Sequence, residues 1–314
     1  MSQFQPTREV SRAPAILATP VPSAFNPSID YARFIAALLV LLFHAIHIGP
    51  LGGQLPVAFF TIVLVFLTLR GRAARPGGPA PRMVRLLRPW AVWTVIYGVL
   101  QVLQAVLEHR PPLQLLREWL PPEGYQAQLW FLPFAAMVTL VLFALPRRLV
   151  RDAPQQMALP AAAVAAGLGL LGPLGHLPEN HLLQLYVIFT PSAAMGVLFY
   201  ALHQRRGAVL AAAAALSAFG FALWGSGLLL TMPFTLAAPI AALALCVPLP
   251  ALPGARAFGP LSMDIYLNHI LALAVVNTVL PLSTGEPAGV LVAIALSIAG
   301  GLLASRLPFG HWLR

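Results

Sequence analysis

The chain has no lysine, a single cysteine and very little charge. Without lysine, the formal net charge of +10 (19 basic against 9 acidic side chains) is carried entirely by guanidinium groups. One cysteine, Cys246, excludes an internal disulfide and leaves the redox compartment undetermined. Only 9% of the residues are charged and 59% are hydrophobic, with a mean hydropathy of +0.81. That balance excludes a soluble domain and marks an integral, multi-pass membrane protein; the expected location is the cytoplasmic or inner membrane. Residues 1–27 hold no long apolar core, so they read as a disordered cytoplasmic tail rather than a cleaved signal peptide. No internal repeat is visible, which weighs against an inverted-repeat transporter. No soluble catalytic domain is expected on either side of the membrane region, 28–306, and 307–314 form a short cytoplasmic tail.

What is present is a series of apolar stretches of spanning length, at about 29–48, 55–70, 89–108, 127–146, 157–174, 182–202, 208–224, 227–248, 258–280 and 287–305. They predict an all-α, polytopic membrane helix bundle of about ten transmembrane helices. Placing the N-terminus in the cytoplasm puts Arg70–Arg88, Arg147–Arg151, Arg205, Arg206 and Arg256 inside, and leaves only Arg110 and Arg117 outside. This asymmetry predicts an N-in, C-in topology. Arginines in short connections between spans set topology and do not indicate a nucleic-acid partner; the expected surroundings are a lipid bilayer.

Three segments carry chemistry. The first is DYARFIAALLVLLFHAIH, residues 30–47, where an acid, a guanidinium and two imidazoles share an otherwise apolar run. Such groups are costly at membrane depth and usually persist for function. Arg33 and His44 are eleven positions apart, almost three turns, so they share one helix face about 16 Å apart along the axis. Asp30 lies at i−3 from Arg33 and can pair with it at the inner boundary. His44 has two readings: a packing histidine that bonds to a neighbouring carbonyl, or a general base whose low-dielectric site keeps the imidazole neutral. His44 and His47 have no acid or cysteine at ligand spacing, so no metal is expected.

The second segment is PRMVRLLRPW, residues 81–90. Arg82, Arg85 and Arg88 recur every three residues, and Pro89 predicts a break or restart of the helix beside them. A helix start flanked by guanidiniums is an anion site; the same arginines also satisfy the positive-inside rule with nothing bound. The third is FGPLSMDIYLNHILAL, residues 258–273. Ser262, Tyr266 and His269 fall at i, i+4 and i+7, one helical stripe, and Asp264 with Asn268 forms another. That many polar groups predict a cavity lining, bonds across helices, or both. Gln126, Gln128 and Trp130, in YQAQLWFLP, are weaker signals: Trp130 and Tyr125 read most simply as an interfacial belt, or the segment as the floor of a sugar cleft.

Taken together, these segments resemble the acyltransferase-3 family of integral membrane acyltransferases, O-acetyltransferases among them. The family's D-x-x-R-x-x-A pattern, with ten residues between its arginine and a following histidine, matches Asp30, Arg33, Ala36 and His44. Its R-x-x-R matches Arg85 and Arg88. Its G-x-x-S-x-x-x-Y-L-x-H matches Gly259, Ser262, Tyr266, Leu267 and His269, with a weaker match at Leu129–Leu132. Two departures stand out: Val63 and Leu64 replace a small Ser-Gly pair after Phe59-Phe60, and Asp264 adds an acid.

The resemblance implies a membrane O-acyltransferase that takes a cytoplasmic acyl-CoA, such as acetyl-CoA, as donor substrate, with no tightly bound cofactor. It implies that Arg85 and Arg88, with Arg33 nearby, hold the phosphates of coenzyme A. His44 is then the general base, Tyr266 and His269 orient the acceptor or stabilise the oxyanion, and Asp30, Ser262 and Trp130 give support. The implied acceptor is a carbohydrate or lipid-linked glycan. A multi-span transporter, or a catalytically degenerate scaffold, are the competing readings.

Overall fold

The structure, a computed structural model, describes residues 26–46, 49–109, 127–171, 181–225, 232–280, 282–308 and 310–313. Among the described residues there are eleven α-helices and no strand: α1 (Pro27–Ile46), α2 (Gly49–Ala74), α3 (Ala80–Leu107), α4 (Phe131–Ala144), α5 (Arg147–Asp152), α6 (Ala158–Leu171), α7 (His181–Leu202), α8 (Arg206–Gly225), α9 (Met232–Cys246), α10 (Ala255–Thr278) and α11 (Pro287–Arg306). Six of them, α1, α2, α3, α7, α10 and α11, contain stretches long and apolar enough to cross a membrane. Helix α4 and most of α8 and α9 are shorter apolar helices. The chain is thus an all-α, multi-pass membrane protein.

Helix α1 begins where its sequence says it should. The Asn26 Oδ1 accepts the Ser28 N–H at 3.1 Å, and Pro27 occupies a first-turn position where a missing N–H costs nothing. That first turn also anchors the proline-rich segment before α10. Ser28 Oγ donates to the Val247 carbonyl at 2.7 Å and accepts the Leu249 N–H at 2.8 Å. Tyr31 Oη donates to the Pro250 carbonyl at 3.0 Å and accepts the Leu252 N–H at 2.7 Å. These bonds hold the starts of α1 and α10 at one end of the bundle.

Helix α1 packs most extensively on α10 and then on α2, while α10 also packs on α11. Helix α2 runs between α1 and a second group made of α7 and α9, and α3 pairs with α4. The α1–α10 contact is close because of a glycine. A Cβ at Gly259 would stand 2.7 Å from the Asp30 Oδ1, so any larger residue there would push the carboxylate away.

The expected break at Pro89 is absent. Helix α3 is continuous for 28 residues with Pro89 buried inside it. Proline removes only the ladder bond to the carbonyl four residues back, here Arg85, and intact turns on both sides carry the helix across. At 28 residues the helix is about 42 Å long against about 30 Å of hydrocarbon. It is therefore longer than one bilayer core requires, and its charged residues, Arg82, Arg85 and Arg88, all lie in its first turns. Helix α2 is extended in the same way, which places Arg70 and Arg72 in helix and leaves only residues 75–79 as the connection.

Candidate active site

A cavity of about 640 Å³ opens where the starts of α1, α3 and α10 meet the end of α2 and the start of α4. Its polar lining is Asp30 and Arg33 from α1, Thr68 from α2, Arg82 and Arg85 from α3, and Ser262 and Tyr266 from α10. Its apolar wall is Phe60, Val63, Leu64 and Leu67 from α2 with Phe131, Leu132 and Ala135 from the α4 side. Val63 and Leu64, the residues that replace a small pair in the family pattern, are therefore cavity wall. Their side chains occupy space within the cavity.

The arginines divide by what they touch. Arg33 Nη1 lies 3.5 Å from Asp30 Oδ1, a pairing that the i, i+3 spacing anticipates. Arg82 Nη1 donates to the Thr68 carbonyl at 2.9 Å and stitches α3 to α2. Arg72, only 8% exposed, donates to the carbonyls of Leu142 and Leu145 and so caps the end of α4. Arg85 lines the cavity. Arg88, expected beside it, lies instead with its guanidinium carbon 4.5 Å from the centroid of the Trp312 ring. One helical turn thus separates an arginine in the cavity from an arginine held against an aromatic face.

On α10, Ser262 Oγ donates to the Gly259 carbonyl at 2.7 Å, and Tyr266 is buried with its ring centroid 6.0 Å from that of Phe131. One turn further in, His269 is fully buried. Its Nδ1 lies 2.8 Å from the Tyr266 carbonyl and 3.1 Å from the Ile265 carbonyl. Carbonyls only accept, so Nδ1 carries the proton and Nε2 presents a lone pair. That Nε2 is buried and has no hydrogen-bond partner. The His44 ring lies beside the His269 ring across the α1–α10 contact, with centroids 5.2 Å apart and planes inclined by 36°.

The cavity and the imidazole pair adjoin at Tyr266, which lines the cavity and has its ring centroid 6.3 Å from that of His269. Neither imidazole is part of the cavity lining. In the neutral tautomer His269 can accept a proton at Nε2 but cannot donate there. That suits a base better than the oxyanion donor expected of it.

Trp130 is not an interfacial residue. It is 8% exposed and packs among Phe131, Phe134, Tyr186 and Phe189, the last at 5.3 Å between centroids. The apolar ring gains more from that cluster than from a headgroup boundary, because the helices on either side bury it on both faces. Gln126 and His47 lie outside the described residues. Among the described residues no three histidine, cysteine or acidic side chains converge as a metal site.

The second polar stripe of α10 turns the other way. Asn268 Nδ2 donates to the Ser297 carbonyl of α11 at 3.0 Å, and a Cβ at Gly301 would collide with the Asp264 side chain. The added acid is therefore packed against α11 and takes no part in the cavity.

No curated protein and no solved structure matches the chain. Residues 26–306, a stretch that runs from the first turn of α1 to the end of α11, match the acyltransferase-3 family model, an acyltransferase domain. With that match covering nearly every described helix, the chain belongs to the acyltransferase-3 family.

Proposed function

We propose that the protein transfers an acyl group, acetyl in the simplest case, from cytoplasmic acyl-CoA to a hydroxyl of a sugar, glycan or lipid-linked acceptor. In this reading the bundle crosses the membrane ten times with both termini inside, and the arginine-lined end faces the cytoplasm. The observation that carries the reading is a cavity lined both by Arg33, Arg82 and Arg85 and by an apolar wall, adjoining two imidazoles at a tyrosine. Guanidiniums suit phosphate oxygens, and an apolar wall suits the uncharged arm and acyl chain of a thioester.

Donor and acceptor meet at Tyr266 from opposite sides. The thioester carbonyl arrives from the cavity, and the acceptor hydroxyl arrives from the imidazole side. His44, paired with His269, takes the acceptor's proton as its oxygen bonds to the carbonyl carbon. The carbon–sulfur bond then breaks and the proton passes to the departing thiolate, giving ester and free coenzyme A. The Tyr266 hydroxyl, where the cavity adjoins the imidazole pair, donates to the oxyanion.

The test is acyl-CoA turnover by the purified protein in bilayer discs. We expect thioester turnover in wild type and its loss in a folded His44→Ala variant. Unchanged turnover in that variant removes His44 from the reaction. Coenzyme A binding with no transfer to any hydroxyl acceptor identifies a degenerate scaffold instead.

A further inference from the structure

The nucleotide end of the donor needs a place beyond the cavity, and the C-terminal turn provides one. Residues Gly310–Trp312 form a short 3-10 turn that packs against α3. Trp93 Nε1 of α3 donates to the Leu313 carbonyl at 3.1 Å, which fastens the turn from below. The Trp312 ring then lies over the Arg88 guanidinium at 4.5 Å, and the residue stays 47% exposed. Cation–π contact with Arg88 fixes the ring's tilt while leaving much of its surface open to a planar group. Arg85, three residues back and only about 4.5 Å away along the helix axis, lines the cavity.

We propose that Trp312 and Arg88 form the platform on which the purine base of the nucleotide donor stacks, outside the phosphate-binding arginines of the cavity. This assignment rests on the acyl-CoA reading above. It accounts for three things together: Arg88 is withdrawn from the cavity, an aromatic side chain is held half exposed on that arginine one helical turn from Arg85, and the 310–313 turn is fastened to α3. The order along the surface follows the donor's own chemistry. The base lies on Trp312, the phosphates lie between Arg88 and the Arg85–Arg33 pair, and the arm runs inward past Val63 and Leu64 to Tyr266.

The experiment uses the full-length protein with two probes, adenosine 3′,5′-bisphosphate for the nucleotide end and an acyl-pantetheine for the arm. Trp312→Ala should weaken adenosine 3′,5′-bisphosphate binding by roughly tenfold, the order expected for one base–aromatic stack. Trp312→Phe, which keeps a ring, should recover part of that loss. In turnover assays the Trp312→Ala variant should raise the KM for acyl-CoA by several-fold more than the KM for the acyl-pantetheine. Equal increases for both donors overturn the platform and leave Trp312 as a brace for α3. Wild type that fails to bind the bisphosphate also overturns it. Absence of turnover with either thioester, while the bisphosphate still binds in a Trp312-dependent way, would instead refute the transferase reading and leave the base site standing.

Discussion

Helix α10 carries two polar stripes, and they do different work. One stripe, Ser262, Tyr266 and His269, faces the cavity and α1; its last member keeps a buried, unpartnered ring nitrogen opposite His44. The other, Asp264 and Asn268, faces α11 and meets a carbonyl and a glycine there. Both stripes are buried and both would be flagged by any count of polar residues in a span. The difference lies in what each polar atom is offered. Where the neighbouring helix supplies small residues and a carbonyl, a polar group joins two helices; where it supplies another ring and an adjoining cavity, the group keeps a basic lone pair that the proposed reaction would use.

The comparison is broken most forcefully at His269. His269→Gln keeps a polar side chain of similar reach but replaces the basic lone pair by an amide. We expect acyl transfer to fall by about 10²- to 10⁴-fold, measured as thioester turnover per folded molecule. Retained turnover would put His269 with the structural stripe. On the other side, Gly301→Ala drives a Cβ into the Asp264 side chain. We expect a loss of about 1–3 kcal/mol in stability, the usual cost of overpacking. Denaturation in detergent would read it, and catalysis by the molecules that remain folded should be close to that of the parent.

Arg85 and Arg72 extend the same contrast to the guanidiniums. Arg85→Ala removes a cavity charge, and we expect coenzyme A affinity to fall by roughly tenfold, about the strength of one charge-assisted hydrogen bond, with little change in unfolding. Equal affinity would return Arg85 to a purely topological role. Arg72→Ala should do the reverse, lowering stability by freeing the end of α4 while leaving coenzyme A affinity alone. The smallest effect is expected at Asn268→Leu. Its bond to the Ser297 carbonyl is an interhelical contact of the kind worth about 0.6 kcal/mol in a membrane. The gain is modest because the Asn268 Oδ1 and Ser297 Oγ lack partners of their own. A shift in melting midpoint well above that of Gly301→Ala would contradict the assignment.

Local periodicity explains what could be read from the chain alone. The Ser262–Tyr266–His269 stripe, the opposed Asp264–Asn268 stripe and the Asp30–Arg33 pair all follow from helical spacing, which neighbours do not alter. Among the described residues the ten apolar stretches each fall on a helix, because length and apolarity alone mark them. The fate of Pro89 was not legible, because a proline's effect depends on how the flanking turns are supported, and here α4 and the C-terminal turn support α3. Nor was the sorting of the arginines. Arg72, Arg82 and Arg88 find a helix end, a carbonyl and an indole, and those partners are brought to them by the tertiary fold from residues up to 224 positions away. Trp130 misled because a tryptophan at the start of a span looks the same whether lipid or protein covers it. The departure at Val63–Leu64 was visible, but its place on the cavity wall required knowing that α2 faces α10 across that space.

The central claim is that the space between Arg85 and Tyr266 is the donor's path. Cys246 is the chain's one cysteine, so Cys246→Ser gives a cysteine-free background in which Leu64→Cys is the sole reporter on the cavity wall. Alkylation of that thiol by a small maleimide should be slowed severalfold by saturating coenzyme A, and not by an equal concentration of sodium phosphate. Labelling at the same rate with and without coenzyme A would contradict the account.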